Sequence, residues 1–305
     1  MGLRNRGVIS ATGWRAGRPR SGRPARHLTD VRRAGASYPH VNLADVSTVP
    51  TSRAAALHLT GERTAPGVPE ENYWFRRHEA AYRALLPYCA DARVLEAGCG
   101  EGYGAALIAE TATRVLALDY DTPSTEHIAA RYPQIDVARG NLAYLPLANE
   151  SIDVVANFQV IEHLWDQDGF LAECFRVLRP GGRLLCTTPN RLTFTPDSDT
   201  PLNPYHTREL SPAELAELLR DAGFDVELLH GLHHGAGVRA LDERYGGIID
   251  AQLDVVMGHL PGTAPWPEHL LADVDAIRAE DFDITGDDVA DVDASLDLVA
   301  VAVRP

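Results

Sequence analysis

Lysine is absent from this chain: all 28 basic residues are arginine. A lysine that forms a Schiff base with a carbonyl substrate is therefore not available. The lysine that contacts the phosphates in a P-loop nucleotide-binding site is missing as well. These two kinds of chemistry are excluded, and any ligand has to be bound without an ammonium side chain.

Long apolar runs and paired cysteines are also missing. No stretch approaches the eighteen apolar residues typical of a membrane-spanning helix, and the first residues lack the apolar segment of a secretory signal. None of the four cysteines (Cys89, Cys99, Cys174 and Cys186) belongs to a C-x-x-C pair. We interpret them as reduced core thiols and expect a cytoplasmic protein that does not bind membranes.

Acidic residues are scarce at the start of the chain and abundant after it. Residues 1–55 contain ten arginines against Asp30 and Asp45, a net charge of +8, and are rich in glycine, proline and serine without a repeat. This composition predicts a disordered leader, with an RNA-binding arm, a targeting peptide or a wrongly chosen start codon as alternatives. The remainder has 18 arginines against 41 acidic residues, a net charge of −23. An acidic body repels phosphate backbones, so no nucleic-acid partner is expected.

The rest of the chain alternates strand-like and helix-like segments. The alternation predicts an α/β fold with a doubly wound, Rossmann-like sheet of seven strands. A helix over Glu70–Leu85, with aromatic residues at helical spacing, is expected to cap it. We divide residues 56–305 into an N-terminal cap (56–90), a core (91–231), an insertion or lid with helical stretches (232–294) and the last strand (295–305).

A glycine-rich turn follows the first predicted strand, in "VLEAGCGEGYG". The glycines Gly98, Gly100 and Gly102 have the spacing G-x-G-x-G, and Tyr103 stands where a dinucleotide-binding fingerprint has its third glycine. Glu96 precedes the turn and would repel a pyrophosphate, but it suits a ligand with an ammonium group. Asp119, at the end of the next strand, suits the two hydroxyls of a ribose. The pattern predicts a ligand with a ribose, a cationic end and no phosphate there, and S-adenosylmethionine fits all three features.

Five ordered motifs carry a resemblance to a known family: "VLEAGCGEGYG", "LALDYD", "GNLAYLPLANESIDVV", "VIEHL" and "VLRPGGRLLCTTPNR". Over roughly residues 92–231 the chain resembles the class I S-adenosylmethionine-dependent methyltransferases. Further segments, such as "ENYWFRRHEAAY" and "DTPLNPYHTREL", resemble an actinobacterial group associated with methylated polysaccharides of the methylglucose type. The resemblance implies O-methylation of a sugar or other small-molecule hydroxyl. Alternatives are C- or N-methylation of a small metabolite, and a non-catalytic protein that binds the cofactor.

The resemblance also implies roles for residues on the cofactor side. The three glycines would let the backbone approach the cofactor, and Glu96 would attract its ammonium group. Asn141 stands where the family has aspartate and would contact the adenine amino group, since its carbonyl oxygen still accepts a hydrogen bond. Leu142 would offer its backbone N–H to the adenine, and Gln159 would lie near the methionine part.

Acceptor chemistry is expected at the end of the fourth strand. A hydroxyl acceptor has to lose its proton, and we predict that His163 is the base, that Glu162 orients it, and that His206 is a second candidate base or a sugar contact. Ubiquinone-pathway O-methyltransferases have a metal-associated E-x-x-E-H at this place, where this chain reads Q-x-x-E-H. No residue is assigned as a metal ligand, and a divalent ion such as Mg²⁺ at Glu162 and His163 remains an alternative.

Two further groups of polar residues are weaker candidates. Tyr73, Arg76 and Arg77 on the cap helix could face the cofactor, with an arginine on the methionine carboxylate. His230, His233 and His234 have an H-x-x-H-H spacing that hints at a metal but is more typical of a polar loop. The oligomeric state stays open.

Overall fold

Eight strands form one mixed sheet in a computed structural model that describes residues 63–198, 200–258 and 266–305. The predicted leader, residues 1–55, lies outside the described residues, as do the first residues of the predicted cap. The strands are β1 (Arg93–Ala97), β2 (Arg114–Asp119), β3 (Asp136–Arg139), β4 (Ile152–Phe158), β5 (Leu178–Pro189), β6 (Asp225–His234), β7 (Phe282–Thr285) and β8 (Asp297–Val303). Their order in the sheet is β3-β2-β1-β4-β5-β8-β6-β7.

The first five strands along the sheet are parallel, and β8 is antiparallel to both β5 and β6. This arrangement confirms the predicted α/β class. The strand count of seven was wrong, because β7 lies inside the segment predicted as an insertion and pairs antiparallel with the end of β6. A four-residue strand is too short to show periodicity among so many acidic residues, and its pairing depends on β6 running on to His234.

Nine α-helices accompany the sheet in the described ranges: α1 (Asn72–Leu85), α2 (Tyr103–Ile108), α3 (Thr122–Arg131), α4 (Gln167–Val177), α5 (Arg191–Phe194), α6 (Pro212–Asp221), α7 (Ala236–Tyr245), α8 (Ile248–Gly258) and α9 (Glu268–Ala276). Side chains cap the first turns of several of these helices. Ser211 and Glu214 form a capping box at α6, and Asp121 and Asp166 accept backbone N–H groups at the starts of α3 and α4. No described helix is long and apolar enough to cross a membrane.

Two apolar clusters cover the two faces of the sheet. Val94 of β1 belongs to one cluster and its neighbour Leu95 to the other, as the alternation of a strand requires. The first cluster includes Tyr82 of α1, and the second includes Phe170 of α4. All four cysteines are buried and free, which confirms that they are core thiols. With both faces covered, the carboxyl ends of the parallel strands are the natural place for a ligand.

Polar contacts with distant parts of the chain hold the cap helix α1 in place. Arg77 donates to both carboxylate oxygens of Asp297 in β8, at 2.6 and 2.5 Å. The Tyr73 hydroxyl lies 2.6 Å from Nε2 of His234, whose Nδ1 lies 2.5 Å from Asp242. Arg76 pairs with Glu79 of the same helix at 2.6 Å. These contacts engage the side chains of the three residues suggested as cofactor contacts, and His234 links α1 to the end of β6.

Candidate active site

A cavity of about 740 Å³ opens at the carboxyl edge of the parallel strands. Its size is typical of small-molecule sites. Eight of the eleven predicted site residues line it: Gly98, Gly100, Asp119, Asn141, Leu142, Gln159, His163 and His206. Glu96, Gly102 and Glu162 are buried or turned behind its wall. We call the wall formed by Gly98, Gly100, Asp119, Asn141 and Leu142 the glycine-loop side, and the wall formed by His163, Leu164, Trp165, Tyr205, His206 and Thr207 the histidine side.

Gly100 and Asp119 are joined by a hydrogen bond between two strand ends. The Gly100 N–H donates to Oδ2 of Asp119 at 2.9 Å, and Oδ1 accepts from the Asp121 N–H at 2.9 Å. Gly100 has a φ of +51°, and a Cβ built there would meet no atom within 4 Å, so the space beside it is open cavity. A carboxylate has about four acceptor positions, which leaves Asp119 capacity for ligand hydroxyls.

Gly102 is required by packing rather than by the cavity. It has a φ of +94°, and a Cβ there would lie 2.6 Å from the side chain of Ile128 in α3. A larger residue would push α3 away from the start of α2. Its predicted role as a cofactor contact stays a prediction, and the structure supplies an independent reason for glycine here.

Glu96 is buried beneath the glycine loop and is 1% exposed. Its Oε1 accepts a hydrogen bond of 2.7 Å from the hydroxyl of Tyr82, a cap-helix residue that does line the cavity. Burial raises the pKa of the Glu96 carboxyl to about 8. Glu96 therefore reaches the cavity through Tyr82 and is largely protonated at neutral pH while no cation is nearby.

Asn141 and Gln159 border the cavity at the ends of β3 and β4. Oδ1 of Asn141 accepts from the Ala143 N–H at 3.0 Å, so an adenine amino group would use the second lone pair of this oxygen. Gln159 has a φ of +57°, a conformation that a side chain with a Cβ seldom adopts. Its backbone N–H donates to the Thr187 carbonyl at 2.9 Å, which holds the strained turn in place.

Glu162, His163 and His206 come together on the histidine side, although 43 positions separate His163 from His206. Their potential ligand atoms all lie within 4.8 Å of one another, and the two imidazole rings meet edge to face with centroids 4.9 Å apart. Nδ1 of His163 lies 3.0 Å from the Tyr205 carbonyl oxygen. A carbonyl can only accept, so Nδ1 carries the proton and the lone pair is on Nε2.

His206 and Glu162 are held by other partners. His206 donates from Nδ1 to Glu209 at 2.6 Å and accepts at Nε2 from Asn203 at 3.0 Å. Glu162 is 1% exposed and accepts from the Thr188 hydroxyl at 3.0 Å. Burial raises the pKa of Glu162 to about 8. Its predicted role in orienting His163 stays a prediction, while the hydrogen bond to Tyr205 provides one orienting contact.

A metal ion at these three residues has a mixed donor set, with one carboxylate and two imidazoles. Mg²⁺ prefers oxygen ligands, so this set does not fit it; imidazole-rich sets suit transition metals better. Both nitrogens of His206 already make hydrogen bonds. Within the described ranges, His230, His233 and His234 do not form a group with metal-ligand spacing.

The sequence reasoning missed several residues on the cavity wall. The cap contributes Arg63, Thr64, His78 and Tyr82, the start of α2 contributes Tyr103, and the loops contribute Tyr120, Trp165 and Tyr205. His78 and Tyr82 are four positions apart on α1, a spacing that puts them on one face of the helix. Tyr103 follows the glycine turn directly. These two signals were present in the sequence, whereas the position of Arg63 depends on its contacts with Asp121 and Ser124.

Comparison with known proteins adds to this geometry. Residues 95–186 match the family described as "Methyltransferase domain". A Mycolicibacterium smegmatis protein named "Probable S-adenosylmethionine-dependent methyltransferase" is 62% identical over 252 residues, which cover 82% of this chain and 96% of that protein. A Mycobacterium tuberculosis protein of the same description is 55% identical over 258 residues, 84% of this chain and 92% of that protein. The solved structure of the cyclase SpnF is similar in fold, with a TM-score of 0.50, 18% identity, and coverage of 73% of this chain and 79% of that one.

Proposed function

The chain belongs to the S-adenosylmethionine-dependent methyltransferases, and from this premise we propose that it methylates a hydroxyl group of a sugar or another small molecule. The fold is that of the class I enzymes, with a mixed sheet of eight strands. The family fixes the cofactor and the type of reaction. The acceptor, the methylated atom and the roles of the individual residues are our proposal, and so is a cytoplasmic location, which the four free cysteines support.

The glycine-loop side fits S-adenosylmethionine. Asp119 would accept hydrogen bonds from the ribose hydroxyls, Asn141 and Leu142 would meet the adenine, and Gly100 leaves room for the ligand beside the loop. Glu96, acting through Tyr82, would favour the methionine ammonium. When bound, the cofactor supplies a methyl group on a sulfonium, so the residues of the chain have mainly to align the acceptor and remove its proton.

The contact between Nδ1 of His163 and the Tyr205 carbonyl is the observation that carries the proposal. The carbonyl can only accept, so a neutral imidazole here has its lone pair on Nε2, as a general base requires. A hydroxyl acceptor that places its oxygen near Nε2 would lose its proton to His163 as the methyl group is transferred. His206, whose nitrogens are both engaged, would contact the acceptor rather than take the proton.

Charge on the cavity wall supports a neutral acceptor. The permanently charged side chains that line the described cavity are Arg63, Glu101 and Asp119, all next to the glycine-loop side. The histidine side contributes imidazoles, a hydroxyl and aromatic rings. An ammonium acceptor would favour a carboxylate there, and a nucleic acid would favour several cationic side chains. A neutral hydroxyl compound needs neither a carboxylate nor cationic side chains on this wall.

A methyl-transfer assay with labelled cofactor tests the proposal against a panel of acceptors. The panel contains partially methylated glucans and their oligosaccharides, simple phenols, amines and carbon acids. We expect label in an alkali-stable ether on the saccharide. Label on an amine or a carbon atom would contradict O-methylation, and cofactor binding without turnover of any acceptor would favour a non-catalytic binding protein.

A further inference from the structure

Two exposed aromatic side chains stand on the histidine side of the cavity. Trp165 is 93% exposed and Tyr205 is 47% exposed, and both line the cavity. Folding normally buries most of an indole ring, because each aromatic side chain contributes a large apolar area. Neither ring therefore contributes its full apolar area to the core, and both are available to a molecule that enters the cavity.

The backbone that carries these rings is fixed on both sides. Just before Trp165, the Leu164 carbonyl accepts from the Thr207 hydroxyl at 2.7 Å. Just after it, Asp166 caps α4 by accepting from the Gly169 N–H at 2.9 Å. The Tyr205 N–H donates to Asn203 at 3.0 Å, and its carbonyl accepts from His163. Two rings on a pre-organised backbone can bind a ligand at a low entropic cost.

The same backbone contacts tie the two rings to the predicted base. Thr207 bridges Glu162 and Leu164, with its N–H 2.7 Å and its hydroxyl 3.1 Å from the Glu162 carbonyl. Nδ1 of His163 donates to the Tyr205 carbonyl. The backbone that carries the two rings is therefore fixed relative to His163.

The histidine side of the cavity combines apolar aromatic faces with hydrogen-bonding groups. Flat apolar faces lie beside hydrogen-bonding groups, namely His163, His206 and Thr207, with no permanently charged side chain among them. A pyranose ring has the matching surface, because its C–H groups form an apolar face while its hydroxyls lie around the edge. The nearly complete exposure of Trp165 also leaves its ring accessible from outside the cavity.

We infer that Trp165 and Tyr205 form an aromatic subsite for an oligosaccharide acceptor, with Trp165 stacking on a sugar ring next to the one that is methylated. This inference rests on the proposed function and names its substrate more narrowly. It makes Trp165 a specificity-determining residue, and it predicts that longer saccharides are better acceptors than single sugars.

The test compares Trp165→Ala with Trp165→Phe and with Tyr144→Ala. Tyr144 is a matched control because it is 79% exposed but does not line the cavity. For a glucan oligosaccharide, Trp165→Ala should raise KM at least tenfold and change kcat less than about threefold. Trp165→Phe should restore part of the loss, and Tyr144→Ala should have no effect. For a monosaccharide, the effect of Trp165→Ala should be much smaller. Affinity for S-adenosylhomocysteine should be the same in all four proteins.

A direct binding measurement supplies a second readout. Saccharide added to the protein with bound S-adenosylhomocysteine should change tryptophan fluorescence, and Trp165→Phe should abolish the change. If saccharides are methylated and Trp165→Ala keeps the wild-type KM for the oligosaccharide, the subsite is wrong while the proposed function stands. If saccharides are not methylated but a phenol is, the saccharide subsite is wrong while O-methylation stands. If only an amine is methylated, the subsite and the proposed function both fail.

Discussion

The glycine-loop side and the histidine side of the cavity are built in different ways. The glycine-loop side is made of residues next to strand ends and held by short-range contacts, such as the bond between Gly100 and Asp119. The histidine side joins two loops about forty residues apart through His163, Tyr205 and Thr207. The first side is acidic in part and suits an invariant cofactor. The second has aromatic rings and no permanently charged side chain, and it is more exposed, as suits a variable acceptor.

From this difference we predict that substitutions on the histidine side reduce acceptor turnover, whereas substitutions on the glycine-loop side weaken cofactor binding. The largest effect is expected for His163→Ala, which should lower kcat by roughly 10²–10⁴-fold because a positioned base is lost. Affinity for S-adenosylhomocysteine, measured by calorimetry, should stay within a few-fold. His206→Ala should raise the acceptor KM more than it lowers kcat. If His163→Ala keeps nearly the full kcat, the base is instead His206 or a residue of the cap.

Asp119→Ala should instead affect cofactor binding more than acceptor turnover. Removal of hydrogen bonds to the ribose, each worth about 1.5–3 kcal/mol, should weaken S-adenosylhomocysteine binding at least tenfold. The matched control is Asp136→Ala, which removes a carboxylate paired with Arg114 on the neighbouring strand, outside the cavity. Both proteins should remain folded by circular dichroism. Unchanged affinity in Asp119→Ala would refute the ribose assignment.

Each side also contains a buried carboxyl with a raised pKa, and only one of the two should respond to the cofactor. An ammonium group in the cavity beside Tyr82 would favour the ionised form of Glu96 behind it, so cofactor binding should release a proton. Affinity for S-adenosylhomocysteine should rise roughly tenfold between about pH 6 and pH 8, since one pKa unit corresponds to tenfold in affinity. Glu96→Gln should remove most of this dependence. Calorimetry in buffers of different ionisation enthalpy measures the released proton directly, and an equal slope in wild type and Glu96→Gln would contradict the coupling.

Glu162 should affect stability rather than cofactor affinity. Its pKa is about 8 in the folded protein against 4.5 ordinarily. The neutral form is favoured by folding, so this contribution is complete below about pH 4.5 and is lost as the pH rises towards 8. Glu162→Gln should reduce the fall in the free energy of unfolding between about pH 5 and pH 8 by on the order of 3–4 kcal/mol, since each pKa unit corresponds to about 1.4 kcal/mol. Urea unfolding measures this, with the exposed Glu227→Gln as control. Parallel curves for wild type and Glu162→Gln would show that the carboxyl is ionised at all these pH values.

The smallest effect is expected from metal removal. Incubation with a chelator before the assay should leave kcat within about twofold, because the donor set of Glu162, His163 and His206 does not suit Mg²⁺. Lost activity that a divalent ion restores would assign these residues as ligands instead. Addition of Zn²⁺ alone, which imidazoles bind well, should inhibit by occupying His163.

The difference between the two sides of the cavity also explains which site residues could be predicted from the sequence. Gly98, Gly100 and Asp119 were found because strand ends and a glycine turn are local patterns, and their places follow from the parallel sheet. Trp165 and Tyr205 were missed because exposure and contact between distant loops have no local signal. Strand β7 was missed for a related reason: four residues acquire strand geometry only by pairing with β6. Arg77 had a plausible local role, but its partner Asp297 is 220 positions away.

The pairing of Arg77 with Asp297 has a consequence for biosynthesis. The ribosome makes the cap helix early, yet the carboxylate that anchors it belongs to the last strand. An arginine that is buried without its counter-ion is strongly unfavourable, by about 3–5 kcal/mol. The contact that anchors the cap helix can therefore form only after Asp297 has been synthesised. A chain truncated before β8 would have the cofactor-binding motifs but would lack the ion pair that holds α1 in place.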